Sequence, residues 1–342
     1  MKKIIIFLSS LVLLFTFVSC NKASNDFELW NDCASLTNLK EFVNMTTTDE
    51  KSEKYIPVED RIAVFDMDGT LYGELFPEYL EYLMLEYRAL DDTTYNAPED
   101  VKEVATLIRE SGKTYSTPKV NNFDMVHARA AAKAYSGMTV REFEEYTKNF
   151  LKRDVKAFTG MTYKEAFYKP MIEVVKFLQK NNFTTYVVSG SDRALCRVLV
   201  CDTLNIPYSQ VIGMDVRYKA PNQDKDSLEY QFTKNDTLIR TDEVLIKNLK
   251  MNKVLNINEE IGKQPVLSFG NSSGDVSMHV YTTTNNKYES RAYMLVADDT
   301  ERDHANMEET NKRIASWKEY GFNIISMKND FKTIYGSGVT MI

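Results

Sequence analysis

The chain has 342 residues, with 42 Lys and Arg against 49 Asp and Glu, a formal net charge of −7, and 43% hydrophobic residues. That is globular composition, long enough for one large domain or two modest ones. An acidic chain without a basic cluster is a poor partner for nucleic acid. The three histidines (His127, His279, His304) and the lack of an H-E-x-x-H pattern argue against a histidine-based zinc site.

Lys2 and Lys3 precede an apolar stretch, residues 4–18, that is too short for a comfortable membrane span. Residues 1–19 therefore read as a secretory signal. Its end, Phe17-Val18-Ser19-Cys20, resembles a bacterial lipobox, in which the cysteine becomes the lipidated mature N-terminus. The alternatives are a plainly cleaved signal or an uncleaved anchor. The lipobox reading places an exported protein on the periplasmic or surface side of the cell envelope, held to a membrane by acyl chains on Cys20. Cys33, Cys196 and Cys201 remain, an odd count for an oxidising compartment. Cys196 and Cys201 are badly spaced for a mutual bridge on a helix, and buried thiols are expected.

Residues 20–60 read as a lead-in with a short helix over 36–43. Arg61-Ile62-Ala63-Val64-Phe65 is a short apolar run with polar flanks, hence a buried strand. It runs into Asp66-Met67-Asp68-Gly69-Thr70, which puts polar chemistry at a strand's C-terminal edge, where open α/β sheets bind ligands. A helical block follows. Pro77 sets a helix start, with Leu80, Leu83, Met84 and Tyr87 on one face. Val101, Val104 and Ile108 mark a second helix, and residues 126–135 are Ala-rich. Thr139-x-x-Glu142 is a capping box opening a helix with Phe143, Tyr146 and Phe150 along one side. No strand pattern interrupts residues 77–158, so residues 74–165 are expected to form a helical cap inserted into a core built from 61–73 and 166–342.

After the cap, strands and helices alternate. A helix opens at Pro170. The strand 184–188 ends in Ser189-Gly190-Ser191, and a helix runs on through Val200. Residues 214–246 look strand-rich. A helix over 254–261 leads to a strand over 265–269, which ends in Gly270-Asn271-Ser272-Ser273-Gly274-Asp275. The tail adds a strand at 293–297, a helix at 307–320 and a strand at 323–327. This alternation predicts a doubly wound α/β core on a parallel sheet.

Three strand ends thus carry polar groups: Asp66/Asp68, Ser189 and Asn271/Asp275. The set resembles the haloacid dehalogenase superfamily of phosphohydrolases, nearest to its phosphoserine-phosphatase-like members with a helical cap. The stretches Ile62 to Leu71 (IAVFDMDGTL), Val187-Val188-Ser189-Gly190 and Leu267 to Asp275 (LSFGNSSGD) carry the resemblance, which spans most of residues 61–331.

The resemblance implies a Mg²⁺-dependent phosphatase acting on small phosphate monoesters through an aspartyl-phosphate. Asp66 would be the nucleophile and Asp68 the acid/base. Ser189 and Gly190 would bind the phosphoryl group, and a lysine would steady the charge. Lys253 stands where the family carries that lysine, with Lys247 the next choice. Asp66, Asp68, Asn271 and Asp275 would hold the cation. Asn271 departs from phosphoserine phosphatases, which place an Asp there, and so brings a carbonyl oxygen without charge. Glu74 resembles the cap-side glutamate that holds a substrate amino group, with one residue less spacing from Asp66.

Tyr72, Phe76 and Tyr79 are candidates for the mouth of the site, where an aromatic cage would suit a choline-like headgroup. Arg129 is a weaker candidate for a substrate carboxylate. Asp298-Asp299-x-x-Arg302 reads as a helix cap. The expected partners are a small phosphorylated metabolite, a phosphorylated amino acid or aminoalcohol such as phosphocholine, and the membrane. The rival reading is a non-catalytic lipoprotein that binds a phosphorylated ligand.

Overall fold

The computed structural model describes residues 26–74, 79–113, 118–305 and 307–342. The signal stretch with Cys20, and Phe76 and Pro77 beside the helical block, lie outside the described residues. Among the described residues no helix is long and apolar enough to cross a membrane.

In chain order, helix α1 (Ala34–Thr47) precedes strand β1 (Ile62–Phe65). Four helices follow: α2 (Leu80–Leu90), α3 (Glu99–Lys113), α4 (Phe123–Ala134) and α5 (Val140–Phe150). Then come β2 (Phe158–Thr159), α6 (Lys169–Lys180), β3 (Thr184–Asp192), α7 (Arg193–Leu204), β4 (Val211–Lys219) and β5 (Ile239–Ile246). The chain continues through α8 (Met251–Ile261), β6 (Leu267–Gly270), α9 (Val276–Thr283), β7 (Arg291–Val296), α10 (Met307–Glu319), β8 (Asn323–Ser326), α11 (Met327–Asp330) and β9 (Thr340–Met341). Seven strands form one sheet in the order β5-β4-β3-β1-β6-β7-β8, and β2 pairs with β9 in a small antiparallel ribbon.

β1 sits in the middle because all four of its residues are apolar and buried, which suits a strand covered on both faces. It pairs in parallel with β3 and with β6, Phe65 lying opposite both Val187 and Phe269. On one face the rings of Phe65, Phe269 and Tyr293 stack across three neighbouring strands, with centroids 4.4 and 4.9 Å apart. On the other, Ile62 and Val64 pack with Val188, Ile212, Ile257 and Met278. The register therefore carries Asp66, the end of β3 and Asn271 to one rim.

The helices α2–α5 stand between β1 and β3 in the chain, and the short strand β2 follows them. The Thr139 capping box forms fully: the Glu142 amide donates to Thr139 Oγ1 at 3.1 Å and the Thr139 amide to Glu142 Oε2 at 2.7 Å. Thr159 pairs with Thr340, so the stretch after α5 is tied to the C-terminus.

The segment 214–246 holds strand at both ends, as expected, but departs from an all-parallel sheet. β4 and β5 pair antiparallel, and turns occupy the polar residues 220–238 between them. The outer edge of β5 takes hydrogen bonds from the helical block: Gly137 N–H donates to Arg240 O at 2.9 Å, and Arg240 N–H to Met138 O at 2.8 Å. An otherwise bare sheet edge is thus paired, and the block is fixed to the sheet. The lead-in is integral too. Asn31 N–H donates to Asp330 O, and Trp30 packs edge-on against Phe331.

Candidate active site

The Asp66 amide donates to Phe269 O at 2.9 Å, which fixes the loop after β1 beside β6. Gly69 has φ +80°, and a Cβ there would fall 1.9 Å from Asn271 Nδ2 and 2.8 Å from Glu74 Oε1. Only glycine lets the two loops approach this closely.

Lys253 lies in the first turn of α8, fully buried. Its Nζ donates to Asp66 Oδ1 at 2.5 Å and to Asp275 Oδ1 at 2.7 Å. The two carboxylates are therefore no further apart than those bonds laid end to end. The other oxygen of Asp275 accepts the amides of Asn271 and Ser272 at 3.1 and 3.0 Å and Ser272 Oγ at 3.1 Å. Burial, then the neighbouring Asp275, push Asp66 well above the ordinary carboxylate range, against the pull of Lys253. Burial acts on Asp275 in the same sense, but Lys253 outweighs it and leaves Asp275 below its ordinary value.

Asp68 Oδ2 accepts from Ser191 Oγ at 2.8 Å, whereas its Oδ1 is buried without a partner among the described residues. Burial first, then Asp66, Glu81 and Glu74, push Asp68 up to about 8, although Ser191 opposes. At neutral pH it holds a proton that it can donate.

These groups line a cavity of about 270 Å³, whose other wall is formed by Tyr79, Glu81, Tyr82 and Asp124 of the helical block. Tyr82 Oη donates to Asp124 Oδ1 at 3.1 Å. The Tyr79 and Tyr82 rings meet edge to face, 5.4 Å between centroids. Lys247 Nζ donates to Glu81 Oε1 at 2.6 Å, and Glu81 Oε2 accepts the Asp192 amide at 3.2 Å. Asp192 in turn binds Arg240 Nη2 at 2.5 Å, and the Arg240 guanidinium lies 3.9 Å from the centre of the Phe143 ring.

The oxygen donors Asp66, Asn271 and Asp275 suit a hard divalent cation; Asp68, expected among the ligands, is a neutral acid whose unpartnered Oδ1 is left for its proton, so its side chain does not join them. Asn271 Nδ2 donates to Glu74 Oε1 at 2.7 Å, leaving its carbonyl oxygen as the donor for a cation. The carboxylates are not a preformed cage, since among the described residues no three His, Cys, Asp or Glu side chains are grouped to hold a metal. The Lys253 ammonium stands between two of them.

Several expected residues occupy other roles. Ser189 is fully buried and its Oγ accepts the Ser191 amide at 3.0 Å; Ser191, two residues along the strand, reaches Asp68 and lines the cavity with Gly190. Glu74 faces a neighbouring cavity with Tyr168 and Trp317 rather than this one. Of the two candidate lysines, Lys253 joins the carboxylates, whereas Lys247 joins Glu81 of the helical block. Tyr72 Oη donates to Tyr163 O inside the core. Arg129 is exposed. Asp299 accepts the Glu301 and Arg302 amides, a local cap. Cys33, Cys196 and Cys201 are free thiols.

A stability prediction arises here. Asp68 in the fold takes its proton at about 8, far above an unfolded aspartate. Below an unfolded aspartate's pKa both states are protonated. Between the two values only the folded state keeps the proton, so stability falls as pH rises. In chelator-treated protein, Asp68→Asn should flatten this fall and melt a few degrees above wild type at pH 8, a gain on the order of 1–2 kcal/mol. A variant that melts lower at pH 8, or keeps the full wild-type slope from pH 5 to 8, rules this out.

No family model and no curated protein matches the sequence. Among solved structures, a functionally unknown protein from Anaerococcus prevotii DSM 20548 aligns over 90% of this chain and 97% of its own at 14% identity and TM-score 0.52. Cytosolic 5′-nucleotidase IIIB bound to cytidine aligns over 88% of this chain and 86% of its own at 14% identity, with a looser TM-score of 0.49. A phosphoserine phosphohydrolase-like protein from Francisella tularensis subsp. tularensis SCHU S4 aligns over 69% and 87% at 14% identity and TM-score 0.39. With a mostly parallel seven-stranded sheet, helices inserted after the first strand, and its polar strand ends on one rim, this chain has a helix-flanked α/β fold, which it shares with the Anaerococcus prevotii protein.

Proposed function

We propose that this chain is a magnesium-dependent phosphatase that hydrolyses small phosphate monoesters through a phospho-aspartate on Asp66. The supporting observation is the arrangement of three carboxyl groups: two joined through Lys253 Nζ, and a third, Asp68, held protonated beside them. A cation bound by Asp66, Asn271 and Asp275 would neutralise their converging charge and polarise the phosphoryl oxygens, leaving Asp68 its proton.

An Asp66 oxygen attacks phosphorus and the ester P–O bond breaks. Asp68 gives its proton to the departing alkoxide. As a carboxylate it then takes a proton from water, which attacks the phospho-aspartate and frees phosphate and Asp66. Lys253 holds Asp66 in position by Oδ1 and offsets charge on the phosphoryl oxygens.

The substrate class we propose is a phosphorylated aminoalcohol or amino acid. Tyr79, Tyr82 and Asp124 give the wall facing the carboxylates an aromatic and acidic surface, which attracts an ammonium group. Lipidation of Cys20 would present this activity at a membrane of the cell envelope.

The test uses the chain from residue 21 with a panel of phosphorylated aminoalcohols, amino acids, sugars and nucleotides. Phosphate release should require magnesium, stop with chelator, and be fastest for the ammonium-bearing esters. Stoichiometric binding with no phosphate released would favour the non-catalytic reading instead.

A further inference from the structure

Five described residues other than glycine have positive φ; four are asparagine, which tolerates it, and the fifth is Lys250. Its φ of 55° and ψ of −122° lie in the region that glycine dominates at the first central position of a type II′ turn. The turn is closed by the Asn252 amide donating to Leu249 O at 3.1 Å.

The surroundings impose this conformation. The Lys250 amide donates to Gly274 O at 2.9 Å, which ties the turn to the loop bearing Asp275. Leu249 is wedged against the end of β3: a Cβ on Gly190 would fall 2.6 Å from its Cδ2. The turn sets the start of α8 and so the place of Lys253. Glycine would serve that purpose without strain, so the backbone gives no reason for a lysine. Strain of this kind is retained where the side chain has a use.

The side chain stands at the mouth of the cavity. Lys250 lines it together with Ser272, Ser273 and Asp66, and its ammonium has neither a hydrogen-bond nor an ion-pair partner among the described residues. Lys247 is bound to Glu81 and Lys253 to two carboxylates. Lys250 is thus the lysine of this wall with a charge left to offer.

We propose that Lys250 is a substrate-binding residue whose ammonium meets a phosphoryl oxygen of the bound monoester. This rests on the phosphatase reading. In a phosphorylated aminoalcohol the phosphoryl group is the anion available to it; a phosphorylated amino acid adds a carboxylate, which titration with inorganic phosphate separates from the phosphoryl contact.

The experiment compares wild type, Lys250→Gly and Lys250→Arg by calorimetric titration with inorganic phosphate in magnesium, by thermal melting, and by KM. Lys250→Gly should melt about 1–3 °C above wild type, because the turn relaxes. It should bind phosphate about tenfold more weakly and raise KM by a similar factor. Lys250→Arg should restore binding without the gain in melting temperature. A purely structural lysine would not couple a more stable fold to weaker phosphate binding.

The proposal is overturned if Lys250→Gly binds phosphate within about twofold of wild type. That result would assign the ammonium to some other anionic group, since inorganic phosphate has no second end. It is equally overturned if the glycine variant melts lower. Wild type that binds phosphate but releases none from any ester would sink the phosphatase reading alone, with Lys250 still judged on binding. Wild type that binds no phosphate would sink both.

Discussion

Asp66→Asn should lower phosphate release by more than about 10³-fold while leaving the protein folded. An amide nitrogen or oxygen does not displace an alkoxide from phosphorus, and no described residue beside Asp66 offers a second nucleophile in the same place. Asp68 is held protonated at neutral pH and Asp275 is engaged through both oxygens. The fold should tolerate the change. Burial and the charge of Asp275 already disfavour the ionised form of Asp66, so a neutral side chain of the same shape removes a cost. The melting temperature of the metal-free variant at pH 8 should therefore match or exceed that of wild type. The measurement pairs a phosphate-release assay with a thermal melt. A well-folded Asn variant that retains wild-type turnover would refute the phospho-aspartate, and a variant that fails to fold would contradict the charge balance derived for the rim.

Those residues were readable in the sequence because the rim chemistry is local. Asp66 follows directly on the apolar run 62–65 with Asp68 two residues on, Asp275 closes the polar loop after the run 265–269, and strand order alone brings such ends together. Lys253 was readable from its place before the last strand of the motif set. The remainder was hidden because it depends on contacts between distant segments. Ser189 and Ser191 share one face of an extended strand, and sequence period cannot say which of them reaches Asp68; the continuation of β3 through Asp192 decides it. Lys247 and Glu81 are 166 positions apart and meet only because α2 folds over the end of the sheet. The pairing of residues 137–140 with β5 leaves no periodic mark in either segment, since it uses backbone groups alone. Glu74 shows the opposite limit. A similar residue at nearly the expected spacing was legible, but the one-residue difference in the loop accompanies a side chain that supports Asn271 from the neighbouring cavity.

The largest loss of stability should follow from Lys253→Met. Lys253 is fully buried, and its ammonium is the cation joining Asp66 to Asp275. Methionine fills similar space but leaves two buried carboxylates facing each other. Removing one partner from a buried ion pair costs about 3–5 kcal/mol, because the charges left behind have neither water nor a counter-ion. The cost should depend on pH in a defined sense. Without the ammonium, both carboxylates take up protons in the fold at a pH above that of an unfolded aspartate. The folded variant then binds more protons than its unfolded chain, and its stability falls as pH rises. The gap to wild type should be widest near pH 8 and narrowest near pH 4–5, where protonation supplies what the lysine had supplied. Adding Asp275→Asn to the variant should recover part of the loss, since one of the opposed charges is gone. Thermal melts of the two variants and wild type in chelator, taken from pH 5 to 8, measure all three effects. A single variant whose deficit is constant across that range would show that Lys253 acts there through packing, and that its charge does not hold the carboxylates together.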